Sequence, residues 1–194
     1  MRKSFLGVDR YDTKFENDAS ILHQPNIIKP LHGMNPRTIL GQGWWDRTRK
    51  VAYASTNFHC LACGIHKLDA LFHRWLEGHE DYTIDFEKYE YRLNRIVPLC
   101  HACHNVIHDG RLQILHDRGE ISDDKFHRIM SHGDVILKTN GLCPRNMAWW
   151  KDEDVFHKFF PENNGTWKLW HIVIEGKKYF SKFEDFDAWR EFYS

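Results

Sequence analysis

Apolar residues follow several rhythms along this chain. Residues 1–36 show little periodicity and are broken by Pro25, Pro30, Gly33 and Pro36. They read as an irregular arm that wraps the core or reaches a partner. From Arg37 to Ala54 a helical rhythm takes over. It predicts an amphipathic helix over Trp44 to Tyr53 with Trp45, Thr48 and Ala52 inward, Trp44 and Val51 beside them, and Arg47, Arg49 and Lys50 mostly outward. Gly41 and Gly43 are expected just outside its start. Phe58 to Gly64 reads as a turn between short strands. Leu68, Leu71, Phe72 and Trp75 fall along one side of a second predicted helix, Leu68 to Leu76. Trp75 to Tyr82 and Tyr89 to Leu99 are strand-like, and predict a hairpin turning near Asp85 to Lys88. A short helix from Cys103 to about His108 follows, stopped near Asp109-Gly110 by the glycine. Ser122 is an N-cap with Asp123 and Asp124 in the first turn. The helix it opens runs past Met130 toward Leu137, is open to interruption at Gly133, and ends at Gly141 and Pro144. Thr166 to Ile174 reads as a strand, Glu175-Gly176-Lys177 as a turn, Lys178 to Phe180 as a strand and Glu184 to Tyr193 as a short aromatic helix. This last segment is separate in style.

The polar interruptions of these rhythms carry the chemistry. Cys60-Leu61-Ala62-Cys63 and Cys100-His101-Ala102-Cys103 are both C-x-x-C, with 36 residues between them. Two such knuckles offer the four thiolates that a tetrahedral Zn²⁺ takes. The second runs into His104 and His108, which share one face of a helix because they stand four apart. His79 and Glu80 lie on the strand upstream. Without them, two helix histidines that merely pack or cap are the simpler reading; with them, a second metal site that does chemistry is expected. His59, His66, His73 and His101 read as surface or supporting residues. His66 and His101 are alternative zinc ligands that four cysteines make unnecessary. Cys143 stays outside this scheme as a structural thiol.

Composition narrows the class. Hydrophobic residues make up 42% and charged residues 28%, as in a soluble globular protein, and no apolar run approaches the ~20 residues that span a bilayer. The N-terminal residues Met1-Arg2-Lys3-Ser4-Phe5 lack the apolar stretch of a secretory signal. A cytoplasmic, reducing setting is therefore expected, which favours thiolate–metal ligation over disulfides. The formal net charge is zero, which argues against coating nucleic acid by charge alone. Residues 1–50 hold nine Lys/Arg against five Asp/Glu, and residues 51–112 hold six against eight, so the basic excess precedes the first knuckle. Arg47, Arg49, Lys50 and Arg111 are candidate phosphate contacts, with a solvated charged face as the plain alternative. Trp44, Trp45, Trp149 and Trp150 read as core rather than base-stacking platforms.

Taken in order, a knuckle, a strand with His79-Glu80, a second strand, a second knuckle and a helix with His104 and His108 resemble the HNH endonuclease family. The matching residues are Leu76-Glu77-Gly78-His79-Glu80 and Ile96-Val97-Pro98-Leu99-Cys100-His101-Ala102-Cys103-His104-Asn105-Val106-Ile107-His108. The likeness covers about residues 58–112; a looser one, from Trp44 to Leu112, is to uncharacterised phage and bacterial HNH proteins. It implies a ββα-metal fold and phosphodiester hydrolysis. It assigns Cys60, Cys63, Cys100 and Cys103 to a structural Zn²⁺. His104 and His108, with or without His79, would hold a catalytic Mg²⁺, Mn²⁺, Ni²⁺ or Zn²⁺, and His79 or Glu80 would be the general base; His79, Glu80 and His104 form the catalytic set. Two departures stand out. The strand carries His79-Glu80 where the family has two histidines, or an acid then a histidine. Arg95 occupies the place of the family's middle asparagine, for which Asn94 or Asn105 are the stand-ins.

The expectation is an α+β protein. Residues 1–54 form an N-terminal arm and helix, 55–115 a zinc-stapled ββα core, 116–150 a helical connector, and 151–194 a small strand-strand-helix module. The expected partner is nucleic acid, above all DNA, with a homodimer or a protein partner also compatible and no membrane. The expected setting is a bacterial or phage-infected cytoplasm. A second class of function is an HNH scaffold whose active site has lapsed, binding a protein or nucleic acid, for example to inhibit a host defence factor.

Overall fold

A computed structural model describes residues 15–148 and 165–194. Trp149 and Trp150, and the start of the expected C-terminal module, lie outside those residues. Among the described residues the chain is mixed helix and sheet, with one four-stranded sheet in the order β1-β2-β3-β4.

The N-terminal arm wraps the core. It makes two 3₁₀ turns, Ala19–His23 and Lys29–Leu31, and buries Leu22 and Leu31 completely. Helix α1 (Pro36–Leu40) starts on a reciprocal cap between Asn35 and Thr38. Gly41, at φ 87°, breaks it from α2 (Gln42–Ser55). Gly43 therefore falls inside the second helix and not before it. Trp45 and Ala52 pack on Ile96 as the helical rhythm predicts, but Val51 is 69% exposed, because the buried stripe of α2 is only wide enough for those two residues and the flank of Trp44.

The segment Leu68–Leu76 is not a helix. Only Lys67–Asp69 makes a turn of 3₁₀, and Phe72 sits at φ 76°, which a right-handed helix does not accommodate. The apolar spacing is not taken up by the core; Phe72 and Trp75 lie instead against the rings of His101 and His73. Leu68, Leu71, Phe72 and Trp75 all stay exposed.

Strands β1 (Glu77–Asp85) and β2 (Glu90–Leu99) form the expected antiparallel hairpin. Register slips between Asp81 and Tyr82, where Asn94 is the extra residue on β2. Helix α3 (His101–Ile107) begins at Cys100. The chain does not stop at Gly110; α4 (Asp109–Asp117) follows at once, because Leu112 is 2% exposed and gives the segment an apolar side to bury. Helix α5 (Asp123–Thr139) is capped by Ser122 and runs through Gly133 unbroken. That glycine is required by packing: a Cβ there would stand 2.6 Å from Val106 Cγ2.

β3 (His171–Ile174) pairs parallel with β2, and β4 (Lys177–Phe180) antiparallel with β3, so the C-terminal strands continue the same sheet. Helix α6 (Phe186–Tyr193) comes back against the arm, where Trp189 Nε1 donates to His32 Nδ1 at 3.1 Å. One apolar core gathers the two knuckles, α3, α5 and the arm. A second joins Tyr91, Phe86, Trp170 and the β3 residues Ile172 and Ile174. No helix among the described residues is long and apolar enough to cross a membrane.

Candidate metal centres

Both knuckles deliver their sulfurs to one point. Cys60 and Cys63 sit on a tight turn closed by Cys60 N–H to Ile65 O (2.9 Å) and Gly64 N–H to Cys60 O (2.9 Å), with Gly64 at φ 72°. Leu61 N–H donates to Pro98 O (2.8 Å), which docks the turn on the end of β2 just before Cys100. Cys100 and Cys103 open α3. The four sulfurs lie within 4.8 Å of one another, a group that could hold a metal ion. Their electrostatics point the same way. Burial pushes the Cys60 thiol up, but hydrogen bonds from Cys100, Cys103 and Cys63 outweigh it and hold Cys60 well below its ordinary value. Bonding to Cys100, then to Cys60 and Cys63, drives Cys103 far up. Cys60 and Cys103 are thus pushed in opposite directions by their mutual bonding, and a cation at their centre would favour the thiolate form of each. His132 Nε2, on α5, stands 3.4 Å from Cys103 Sγ and can donate to that charge.

A second group forms where β1 meets α3. His79, His104 and His108 bring ring nitrogens within 4.8 Å of one another. Ring centroids are 5.4 Å apart for His79–His104, 5.1 Å for His79–His108 and 4.6 Å for His104–His108. His79 is 3% exposed, and burial, reinforced by the neighbouring imidazoles of His104 and His108 and by the Arg145 guanidinium, holds its pKa well below the usual imidazole value. Burial and then His104 and Arg111 lower His108 to about 4. Both rings are therefore neutral, the form that binds a metal. His79 Nδ1 is buried with no hydrogen-bond partner among the described residues. An orphaned ring nitrogen costs on the order of 1–3 kcal/mol, and a cation shared with the other two rings would satisfy it. Glu77 Oε2 lies 2.6 Å from His104 Nδ1, the carboxylate–imidazole contact that orients a ligand ring.

The open edge of β1 is tied by the arm. Gln24 Nε2 donates to Glu80 O (2.7 Å), Gln24 Oε1 accepts from Tyr82 N–H (2.9 Å), and the same amide nitrogen lies 3.1 Å from His79 Nε2. Gln24 is held in turn by Arg145, buried at 3% exposure, which donates to the carbonyls of Leu22, Gln24 and Ile107.

Glu80 has its pKa raised by burial, against the lowering effect of its own backbone N–H, His104 and Arg37. It faces a cleft of about 390 Å³ whose walls include Arg37, Arg49, Trp45, Glu77 and His104. It also lines a smaller pocket of about 180 Å³ that His79 and His108 share. Of the basic residues singled out in the sequence, Arg49 reaches the cleft and bonds Asp46 at 2.7 Å, whereas Arg47 and Lys50 stay exposed away from it. Arg111 is exposed on α4, close enough to His108 to depress its pKa.

Neither alternative zinc ligand joins the sulfurs: His66 bridges to His59, and His101 turns to Glu77. Neither stand-in asparagine braces the site. Asn94 lies on the exposed bulge, bonded to Thr83 and Asp81, and the Asn105 amide nitrogen bonds back to His101 O and lies 3.3 Å from His101 Nδ1, away from His79 and Glu80. Arg95 pairs with Asp81 at 2.9 Å. Sequence reasoning missed Glu77, Gln24, Arg37, His132 and Arg145. Glu77 had a signal, since it shares a strand face with His79 two residues on; the others are brought in by tertiary structure alone. Compared with protein-family models, with curated proteins and with solved structures, the chain matches none.

Proposed function

We propose that the chain is a metal-dependent endonuclease of the HNH type that hydrolyses phosphodiester bonds, with DNA as its substrate. The observation that carries this reading is the convergence of His79, His104 and His108 beside a half-buried carboxylate, Glu80, which faces a cleft walled by two arginines. Cys60, Cys63, Cys100 and Cys103 hold a structural Zn²⁺, and the three histidines hold the divalent ion of the reaction. That ion, when bound, stabilises charge on the scissile phosphate.

The chain's own residues account for the rest. Glu80 takes a proton from water, and its raised pKa brings it toward the neutral range in which a carboxylate base is effective. Its raised pKa and its place in the arginine-walled cleft support Glu80 as the base, and the neutral, buried ring of His79 beside His104 and His108 supports a ligand role. Arg37 and Arg49 bind phosphate oxygens in the cleft. Gln24 and Glu77 set the positions of β1 and of the His104 ring.

One observation favours the second reading, a binding scaffold: Leu68, Leu71, Phe72 and Trp75 stand exposed together just before β1. Plasmid cleavage with Mg²⁺, Mn²⁺ or Ni²⁺ separates the two, with zinc content measured on the same samples. His104→Ala and Glu80→Gln should lose cleavage by about 10²-fold or more while keeping about one zinc. Cleavage by neither parent nor variants, with zinc retained, refutes the nuclease and leaves the scaffold.

A further inference from the structure

We propose that His73, Glu77 and His101 form another divalent-cation site beside the three-histidine group, selective for ions such as Zn²⁺, Co²⁺ or Ni²⁺ that accept imidazole and carboxylate together. Their ligand atoms lie within 4.8 Å of one another. Glu77 Oε1 is 3.0 Å from His73 Nε2 and 2.7 Å from His101 Nδ1. Two donors about 2.1 Å from a tetrahedral ion stand roughly 3.4 Å apart, so an ion needs these contacts to open by less than about 1 Å. Two histidines and one carboxylate, with remaining positions left to water, are an established donor set for such ions.

A hydrogen-bonded cluster with no ion accounts for the arrangement less well. Glu77 also meets His104 Nδ1 through its other oxygen. If every contact is a hydrogen bond, three separate imidazoles must each present an N–H to one carboxylate. Ordering those rings costs side-chain entropy, and Glu77, 25% exposed at its side chain, has water available instead. The same partial exposure, with His73 at 14% and His101 at 20%, leaves an ion a way in from solvent.

Local structure is arranged around the delivery of His73. The segment that the apolar rhythm marked as helix turns at Phe72 and lays His73 flat on Trp75, with ring centroids 3.6 Å apart and planes 1° from parallel. His101 is fixed at the first position of α3, edge-on to Phe72 at 5.6 Å. Glu77, with one oxygen toward each histidine group, links the two sites through a single carboxylate. This inference stands apart from the nuclease reading, since it concerns ion binding and not cleavage.

Cobalt titration of the full zinc-loaded chain tests it, followed by visible absorption, equilibrium dialysis and tryptophan quenching. His73→Ala and His101→Ala should each bind about one Co²⁺ fewer than the parent. His108→Ala should keep that ion, so the two histidine groups are counted separately. Trp75→Phe should bind as much Co²⁺ as the parent but lose the part of the quenching that comes from the ring against His73. Zinc content and circular dichroism identify any variant that fails to fold, in which case the Trp75→Phe quenching decides alone. Unchanged stoichiometry in folded His73→Ala and His101→Ala, or quenching that persists fully in Trp75→Phe, overturns the proposal.

Discussion

Gln24→Met removes the amide that ties the arm to β1 while keeping the length of the side chain. Among the described residues β1 is an edge strand, with no neighbouring strand on its outer side. Gln24 behaves there like one peptide unit of a missing strand, giving an N–H to Glu80 O at 2.7 Å and an oxygen to Tyr82 N–H at 2.9 Å. Each net bond contributes about 0.5–1.5 kcal/mol, and a backbone group left unpaired costs about 1–3 kcal/mol, so the loss should be ~2–4 kcal/mol. At about 2–4 °C per kcal/mol for a chain of this size, Tm should fall by ~5–15 °C. His79 is the strand residue next to Glu80, so loosening this edge should misplace its ring, and affinity of the three-histidine group for a divalent ion should fall about 10–100-fold, as for a ligand whose positioning is lost. Thermal melts at fixed zinc loading and calorimetric ion titration measure the two effects. Gln24→Glu is the control: it keeps an acceptor for Tyr82 N–H but faces Glu80 O with a second acceptor, so it should restore only part of the stability. A Tm within about 2 °C of the parent, together with unchanged ion affinity, would refute the claim that the arm braces the strand.

Chelation should remove the ion from the four cysteines and unfold the core around Cys60, Leu61 and Ala62, all buried; a melt unchanged by chelator would show that the sulfurs pack without it. Gly133→Ala gains about 1 kcal/mol of helix propensity but drives a methyl to 2.6 Å from Val106, an overpacking cost of about 1–3 kcal/mol. Urea denaturation should show net destabilisation, relieved in the double variant with Val106→Ala; non-additivity near zero counts against the clash. His32 has its pKa lowered chiefly by burial and by Lys29, with Ile27 O opposing, so its neutral ring is the folded form. A depressed folded pKa makes this contribution full above the unfolded value of about 6.5, and it is lost as pH falls through the folded value. Acid should therefore loosen α6, where Trp189 N–H needs the unprotonated His32 Nδ1; hydrogen exchange at α6 that is flat from pH 7 to about 5 would contradict this.

What the sequence made legible was local. The knuckle cysteines announce themselves by spacing, the β1–β2 hairpin by strand residues around a polar turn, and α5 by Ser122 and its acidic first turn. Periodicity misled at 68–76, because a stripe of apolar residues predicts a helix only when something packs against it, and here it meets solvent. Gly110 misled in the opposite way: glycine ends a helix when it takes a left-handed φ, and with Leu112 buried the next segment simply continues as α4. The histidine pair on α3 could be read from its four-residue spacing. The supports could not. Gln24 reaches His79 and Glu80 from 55 and 56 residues away, and Arg145 reaches Leu22 from 123 away, separations over which no local pattern carries information.

The sheet order explains why the site sits where it does. β3 joins the sheet parallel to β2, and a parallel neighbour requires a crossover. That crossover begins with α3, the helix that also carries Cys103, His104 and His108. One helix start therefore answers to the hairpin before it, the sulfur cluster, the histidine groups and the path to β3. Because β3 and β4 add on the far side of β2, no strand among the described residues covers the outer edge of β1. The arm fills part of that edge through Gln24, and the cleft with Glu80, Arg37 and Arg49 occupies the part beside it. An edge strand is ordinarily a liability for pairing with other chains. Here its exposed backbone is partly satisfied by a side-chain amide, and the rest of the opening gives solvent and ligands access to side chains that a central strand would have buried on both sides.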